Sequence, residues 1–525
     1  MARATTPPTS DAEPRPLAIK QSAGRRRPFW KAALFRCAAV LLGLTPLIFG
    51  EIGLRALGLG KPTDFNDPFV GFSDIHPLFV LNEDVGRFEI PKSRQTHFQP
   101  ESFAAVKPAN EFRIFVLGGS TVQGRPWSIE TSFTTWLELN LNAGDRSREY
   151  QVINCGGVSY ASYRLVPILQ EVLRYQPDLI IFCEGHNEFL EDRSYGSIKF
   201  APAYLAWPQR QVARLRTYNV LREGILRLMA ADEKATPAQR VVLGPEADAR
   251  LDWKDGLAKY HRDPKWQADV IAHFELNLRR IAAIADQAGV PLLFVSPASN
   301  LQWAPFKPVH RADFCPADHV EFARLRAEAR ELYARDMEAA LVCLKQAAAM
   351  DDQQAAVHYD IGLCLLELGR PAEARVWLTK AKDLDVCPLR MLEPMKQIIR
   401  NVATETRTPL VDADALIAAK SRSGFPDLQW MVDHVHPTIE GHQLIADAIA
   451  SKMTELRLIA PAPGWGQARD QTYREHLASL SHAYFERGKD RLKSEQGWAH
   501  GLVQRTKAAR KASGGRQPPE AERRP

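Results

Sequence analysis

The chain has 525 residues, 45% hydrophobic and 25% charged, the balance of a globular protein of two to four domains. That excludes a mainly disordered chain, a collagen and a multi-span membrane protein. The formal charge of +6, from 68 basic and 62 acidic side chains, sits largely in the two tails. A nucleic-acid binder clusters a stronger imbalance, so no nucleic-acid partner is expected. The seven cysteines show neither CxxC nor Cys/His spacing, which argues against a zinc site and a dense disulfide scaffold.

Residues 1–30 are rich in Pro, Arg, Ser and Thr and read as a disordered cytoplasmic tail ending in Arg25-Arg26-Arg27. Residues 31–59 read as a transmembrane anchor. Its core, Ala32 to Gly50, is 19 residues with one charge, Arg36. As a helix at about 1.5 Å per residue it spans roughly 28 Å, close to a bilayer core. The preceding arginines should stay in the cytoplasm, which places the rest of the chain outside, in the periplasm.

The body predicts an α/β fold: a doubly wound, parallel, five-stranded sheet in a flavodoxin-like three-layer arrangement. Short apolar runs at Arg113–Leu117, Tyr150–Asn154, Leu179–Cys183, Pro291–Val295 and Pro409–Val411 read as buried strands. Helical patterns lie between and after them, at Ser128–Asn142, Ser162–Tyr175, Trp266–Ala288 and Thr438–Met453. A first part of this domain covers 60–317 and a last part 391–460. Residues 190–262 form a long polar connection with two open readings, a wall beside the site or surface packing.

An inserted helical segment, 318–390, separates the two parts. Ala340, Leu344, Ala347 and Asp351 recur 34 positions later as Ala374, Leu378, Ala381 and Asp385. That period, with Gly362 in the second unit, resembles the tetratricopeptide repeat. The insert is either a structural prop or a docking surface for a protein partner. Cys315 and Cys387 bracket it, and whether they pair stays open. Residues 461–525 read as helical and then, from about 488, as a disordered basic tail.

In open α/β sheets, ligands bind beyond the carboxyl ends of the strands. Four short blocks fall there or before the last helix. In Gly118-Gly119-Ser120 the glycines turn the chain sharply and leave the Ser120 hydroxyl at the sheet mouth, with its own N–H beside it. No Gly-Lys-Ser/Thr follows, which excludes a phosphate-binding Walker loop. The second block, Asn154 to Tyr160, offers backbone N–H groups. The third, Glu184-Gly185-His186-Asn187-Glu188, offers the Asn187 amide to a developing oxyanion. In the fourth, Asp433-His434-Val435-His436, Asp433 can orient His436, which can take a proton from Ser120. His186, Asn300 and Arg390 are candidate substrate contacts, and Glu188 reads as a helix-start residue. With no third acid or histidine nearby in sequence, no metal is expected, and no cofactor is needed.

Together the four blocks resemble the SGNH (GDSL-like) hydrolase superfamily. The resemblance makes Ser120 the nucleophile, Asn187 the oxyanion asparagine, and Asp433 and His436 the acid and base. The chain departs from the pattern in two places. It has Gly-Gly-Ser-Thr where the family has Gly-Asp-Ser-Leu, and Ser159 stands where counting from Asn154 places the family's glycine. Gly157 is the alternative oxyanion donor if the loop is shifted by two. The layout of anchor, hydrolase domain and repeat-like insert also resembles a narrower bacterial group. Gly185-His-Asn-Glu-Phe-Leu190, His261-Arg-Asp-Pro264 and Pro297-Ala-Ser-Asn-Leu301 look like its signatures. The resemblance implies a serine esterase without a firm substrate, and the ester considered for it is the O-acetyl groups of an envelope carbohydrate. Two alternatives stand beside it: an O-acyltransferase with the same triad, and a non-catalytic envelope scaffold that binds partners through the insert.

Overall fold

The computed structural model describes residues 74–191 and 242–499 throughout, with parts of 43–72 and 216–221. It divides into two units. The first comprises residues 1–62 with 210–221. Its described part is a helical stretch over 48–56, where Glu51 accepts hydrogen bonds from the Thr217 N–H and hydroxyl, each at 3.0 Å. Residues 1–42, which hold the expected cytoplasmic tail and the first part of the expected anchor, lie outside the described residues. Among the described residues no helix is long and apolar enough to cross a membrane.

The second unit, residues 63–209 with 222–525, holds the sheet. Its five parallel strands are β1 (Glu111–Gly118), β2 (Glu149–Gly156), β3 (Leu179–Cys183), β4 (Leu292–Ser296) and β5 (Leu410–Asp412). Their spatial order is β2-β1-β3-β4-β5, the flavodoxin-like order. These strands read as continuous apolar runs because both faces are covered. On β1, Phe115 and Leu117 enter one core while Ile114 and Val116 enter the other.

The helices are α1 (Ser120–Gln123), α2 (Phe133–Gly144), α3 (Ser162–Val172), α4 (Pro264–Ala288), α5 (Asp318–Leu332), α6 (Met337–Met350), α7 (Ala355–Glu367) and α8 (Pro371–Leu384). They continue as α9 (Glu393–Thr406), α10 (Ala413–Lys420), α11 (Ile439–Glu455), α12 (Trp465–Ser479) and α13 (His482–Ala499). One face of the sheet carries α3, α4 and α9 and the other α2, α10 and α11, which gives three layers. The His261-Arg-Asp-Pro264 run starts α4. Asp263 caps it by accepting from the Trp266 N–H at 2.9 Å, and Pro264 occupies its first position. A three-stranded antiparallel sheet (Val80–Asn82, Arg87–Glu89, Ser102–Ala104) was not foreseen, because its strands have only three residues each.

The insert is the helical run α5 to α8. The eight positions of the 34-residue period are all buried. Each repeat aspartate makes the same turn. The Asp351 Oδ1 accepts from the Gln353 N–H, and the Asp385 Oδ1 from the Cys387 N–H, both at 3.0 Å. Their second oxygens hold the loop after β4, through His310 Nδ1 at 2.7 Å and the Phe306 N–H at 2.6 Å. A Cβ at Gly362 would meet the Leu378 Cγ at 2.5 Å, so glycine is what lets α7 and α8 approach. Cys315 is an exposed free thiol and Cys387 a buried one, so the two are not bonded. The disordered tail expected from about 488 needs correction, since α13 runs to Ala499 with Tyr484, Gly488 and Ala499 buried. Contacts with the body order a sequence whose composition alone suggests disorder.

Candidate active site

Ser120 follows β1 as the first residue of α1, so its N–H has no intrahelical partner. The loop between α10 and α11 brings Asp433 and His436 to it. The Ser120 Oγ lies 2.7 Å from His436 Nε2, and His436 Nδ1 lies 2.6 Å from Asp433 Oδ2. An ionised carboxylate only accepts, so Nδ1 carries the proton and the bare Nε2 accepts from the Ser120 hydroxyl. The other carboxylate oxygen, Asp433 Oδ1, accepts from the N–H groups of Val435 and His436, each at 2.8 Å. Burial alone pushes the Asp433 carboxyl up, but the charges of His436 and His434 and these hydrogen bonds hold it well below the usual carboxylate range. Burial likewise opposes charge on His436, yet the Asp433 charge and hydrogen bond raise its pKa.

The expected oxyanion donors divide. Asn187 Nδ2 donates one hydrogen to the Tyr160 carbonyl at 3.0 Å, and a Cβ on Gly119 would stand 2.4 Å from it. The amide is therefore pressed against the turn that holds Ser120, and only a glycine fits there. Gly157 is a correction: its N–H donates to the Gly118 carbonyl at 2.9 Å, so it has no hydrogen left for an oxyanion. Ser159 is the better match. Its φ is +65°, in the left-handed region that favours glycine. Among the described residues its N–H and that of Ser120 donate to nothing.

The expected substrate contacts divide too. His186 Nδ1 accepts from the Met391 N–H at 3.1 Å, so Nε2 carries the hydrogen. That buried Nε2 has no partner among the described residues. Burial, then the neighbouring His434 and His436, push the His186 pKa well below its ordinary value and keep the ring neutral. Asn300 and Arg390 are corrected. Asn300 is fully buried, donating through Nδ2 to the Asp433 carbonyl at 3.0 Å and accepting at Oδ1 from the Gln302 N–H. Arg390 is 2% exposed and donates through Nη1 to the carbonyls of Asn300 and Trp303. Both brace the loop behind the triad. Glu188 takes its expected helix-start place, accepting from the Ser162 N–H at 2.7 Å.

Two residues near the triad were missed. Arg125, five positions after Ser120, donates through Nη1 to Glu495 Oε1 of α13 at 2.9 Å. Glu495 Oε2 then lies 4.0 Å from His436 Nδ1. No motif could have found this pair, because 370 positions separate its members. Asp433, His436 and Glu495 bring three possible ligand atoms within 4.8 Å. The 2.6 Å contact inside that group fits a shared proton; two ligands of one ion, each about 2 Å from it, would stand about 3 Å apart.

No family model matches the chain, and a search of curated proteins finds no match either. Among solved structures the chain is similar to the lipase/acylhydrolase from Enterococcus faecalis, at 11% identity over 67% of this chain and 100% of that one, with a TM-score of 0.31. It is also similar to an acetylxylan esterase from Geobacillus stearothermophilus, at 11% identity over 66% and 96%, TM-score 0.29. A GDSL-like lipase from Bacteroides thetaiotaomicron matches at 11% over 67% and 93%, TM-score 0.28. Likenesses this distant decide neither fold nor chemistry, which rest on the sheet and on the side chains at its edge.

Proposed function

We propose that the chain is a serine ester hydrolase of the SGNH type. The observation that carries this reading is the unbroken relay from the Ser120 Oγ to His436 at 2.7 Å and on to Asp433 at 2.6 Å. Ser120 attacks the ester carbonyl carbon as its proton passes to His436 Nε2. The tetrahedral oxyanion is received by the N–H groups of Ser120 and Ser159 and by the Asn187 amide. Such donors supply about 3 kcal/mol each in comparable sites. The carbon–oxygen bond to the alcohol then breaks, and the alcohol leaves with the proton from Nε2. Water, deprotonated by His436, attacks the acyl-serine, and the acid and the free Ser120 hydroxyl result. No step calls for a metal or organic cofactor.

The substrate class proposed is an acylated envelope carbohydrate, met outside the cytoplasmic membrane by a chain tethered through residues 31–59. The helical insert is proposed to resemble tetratricopeptide units and to offer a surface to a protein partner. An O-acyltransferase would use the same acyl-serine and hand it to a sugar hydroxyl. Product analysis with and without a sugar acceptor separates that outcome from hydrolysis. The test of the hydrolase itself is p-nitrophenyl acetate turnover and fluorophosphonate labelling of the full chain beside Ser120→Ala. Turnover and labelling that vanish in the variant support the reading. Equal background rates and no labelling of either protein leave a non-catalytic scaffold.

A further inference from the structure

The C-terminal helix α13 lies across the segment that follows the nucleophile. A Cβ on Gly488 would stand 2.1 Å from the Trp127 ring, so backbone and indole are in direct contact. The Tyr484 hydroxyl meets Thr131 Oγ1 at 2.8 Å, and Arg491 Nη1 donates to the Pro126 carbonyl at 2.9 Å. At its far end, Trp498 Nε1 donates to Asp252 Oδ1 at 2.9 Å, and Ala499 is buried with Leu251 and Tyr260. Anchored at both ends, the helix delivers Glu495 to the triad. One oxygen, Oε1, is held by Arg125. The other, Oε2, is buried, has no hydrogen-bond partner among the described residues, and lies on the Nδ1 side of His436 at 4.0 Å.

Resting on the serine hydrolase reading, we propose that Glu495 and Arg125 are positioning residues: an opposed charge pair, supplied by α13 and the post-nucleophile loop, that sets the protonation window of His436. Oε2 is too far from Nδ1 for a hydrogen bond, so it does not compete with Asp433 for the ring proton. It acts through its field on the imidazolium that forms as Ser120 attacks. Arg125 acts in the opposite sense and tempers it, and the two partners' effects on His436 have these signs.

The other groups facing His436 are accounted for. Asp433 and His434 lie on its own loop, with Asp433 the hydrogen-bonded partner. His186, from the loop after β3, stays neutral. His442 on α11 is pushed down to about 3 by burial and the His436 charge, so it too stays neutral. Arg491 of α13 acts on Arg125 with like charge and points its guanidinium to the Pro126 carbonyl. Among the described residues, Arg125 and Glu495 are thus the charges from outside its own loop that act most on His436.

The experiment is a titration of His436 in the full chain, labelled with 13C at histidine Cε1, its signal identified by its loss in His436→Gln. Removing the negative partner in Glu495→Gln should lower the midpoint by about one pH unit, and removing the positive partner in Arg125→Gln should raise it by about as much. Glu495→Asp, which keeps the charge, should stay nearer the wild type than Glu495→Gln. On p-nitrophenyl acetate the acid limb of kcat/KM should move the same way, about tenfold in relative rate for each pH unit. Either single variant tests the sign, should the other fail to fold. Midpoints that do not move, or that move in the same direction in both variants, overturn the proposal. If the midpoints move as stated but the wild type hydrolyses no ester, the hydrolase reading falls while the charge pair stands.

Discussion

The candidate-site loop and the helical insert use the same local device for different ends. In Asp351, Asp385 and Asp433 alike, Oδ1 accepts from the N–H two residues on, which folds the chain into a tight turn. Between Asp385 and Asp433 the difference lies on Oδ2. In Asp385 it accepts from the Phe306 N–H, a fixed donor with no proton to exchange, and burial pushes that carboxyl above its ordinary pKa. In Asp433 it faces the ring of His436, which can take up charge, and the carboxyl is held down. The same turn is a docking pin in one place and a charge support in the other. Asp351, also in the insert, sets its Oδ2 against a histidine too, His310 Nδ1 at 2.7 Å, so the distinction is drawn between Asp385 and Asp433.

Paired substitutions should expose this contrast at its largest. Asp433→Asn should cut kcat on p-nitrophenyl acetate by about 10⁴-fold, because an amide in its place no longer fixes the tautomer or supports the imidazolium. Asp385→Asn should leave kcat within about threefold, because it replaces an acceptor that supports a backbone turn. Its cost should appear as a lower unfolding midpoint, roughly 1–3 kcal/mol for the buried hydrogen bonds it weakens. If Asp385→Asn lost activity to the same degree at unchanged stability, the assignment of separate roles would fail.

The next contrast is between hydrogens that are spent and hydrogens held in reserve. Gly157 has committed its N–H to Gly118, whereas Asn187 commits one amide hydrogen to Tyr160 and keeps the other. Asn187→Ala should lower kcat by about 10²–10³-fold with a smaller change in KM, the mark of a donor used in the transition state. A loss confined to KM would make Asn187 a substrate contact instead.

Much of this arrangement was legible in the chain. Leu179–Cys183 was read to the residue, and the other four sheet strands to within two residues at each end, because strands covered on both faces leave uninterrupted apolar runs. Ser120, Asp433 and His436 stood out as candidates because strand ends and an Asp-x-x-His spacing are local signals, and the fold brings the three side chains together. The choice between Gly157 and Ser159 was not legible, since it turns on a φ angle and on one long-range N–H bond. Asn300 and Arg390 looked like substrate contacts because polarity beside a strand end was visible and their buried carbonyl partners were not. The order of α13 was hidden for a similar reason. Its sequence is polar, and what orders it are contacts with Trp127, Thr131 and Asp252, more than two hundred positions away along the chain.

Charge burial gives a smaller effect with a definite sign. Glu184 Oε1 accepts from the N–H groups of His186 and Asn187 at 3.0 Å, behind the oxyanion loop. Burial pushes this carboxyl up to about 8, with the nearby Glu188 charge acting the same way against the hydrogen bonds. The folded state therefore holds this proton between the ordinary carboxylate range and pH 8, while the unfolded state releases it. Stability falls as pH rises through that window. Glu184→Gln should flatten the fall, gaining midpoint temperature over the wild type at pH 9 relative to pH 5. Glu101, pushed up to about 7 mainly by burial, adds a decline of the same sign that this substitution leaves in place.

The smallest expected effect concerns backbone strain and returns to the two regions. The insert meets its need for a left-handed residue after α7 with Gly369, at φ +70°. The site loop meets the same need with Ser159, at φ +65°, where a Cβ crowds the backbone. Ser159→Gly should relieve that crowding but give the unfolded chain more freedom, two effects of opposite sign that leave a net change of about 0.5 kcal/mol or less. The N–H stays in place, so kcat should change less than twofold. Ser159→Pro removes the N–H and forbids the positive φ together, and should lose both stability and turnover. If Ser159→Gly instead cut kcat tenfold at unchanged stability, the side-chain hydroxyl, and not the N–H, would be the working group of this loop.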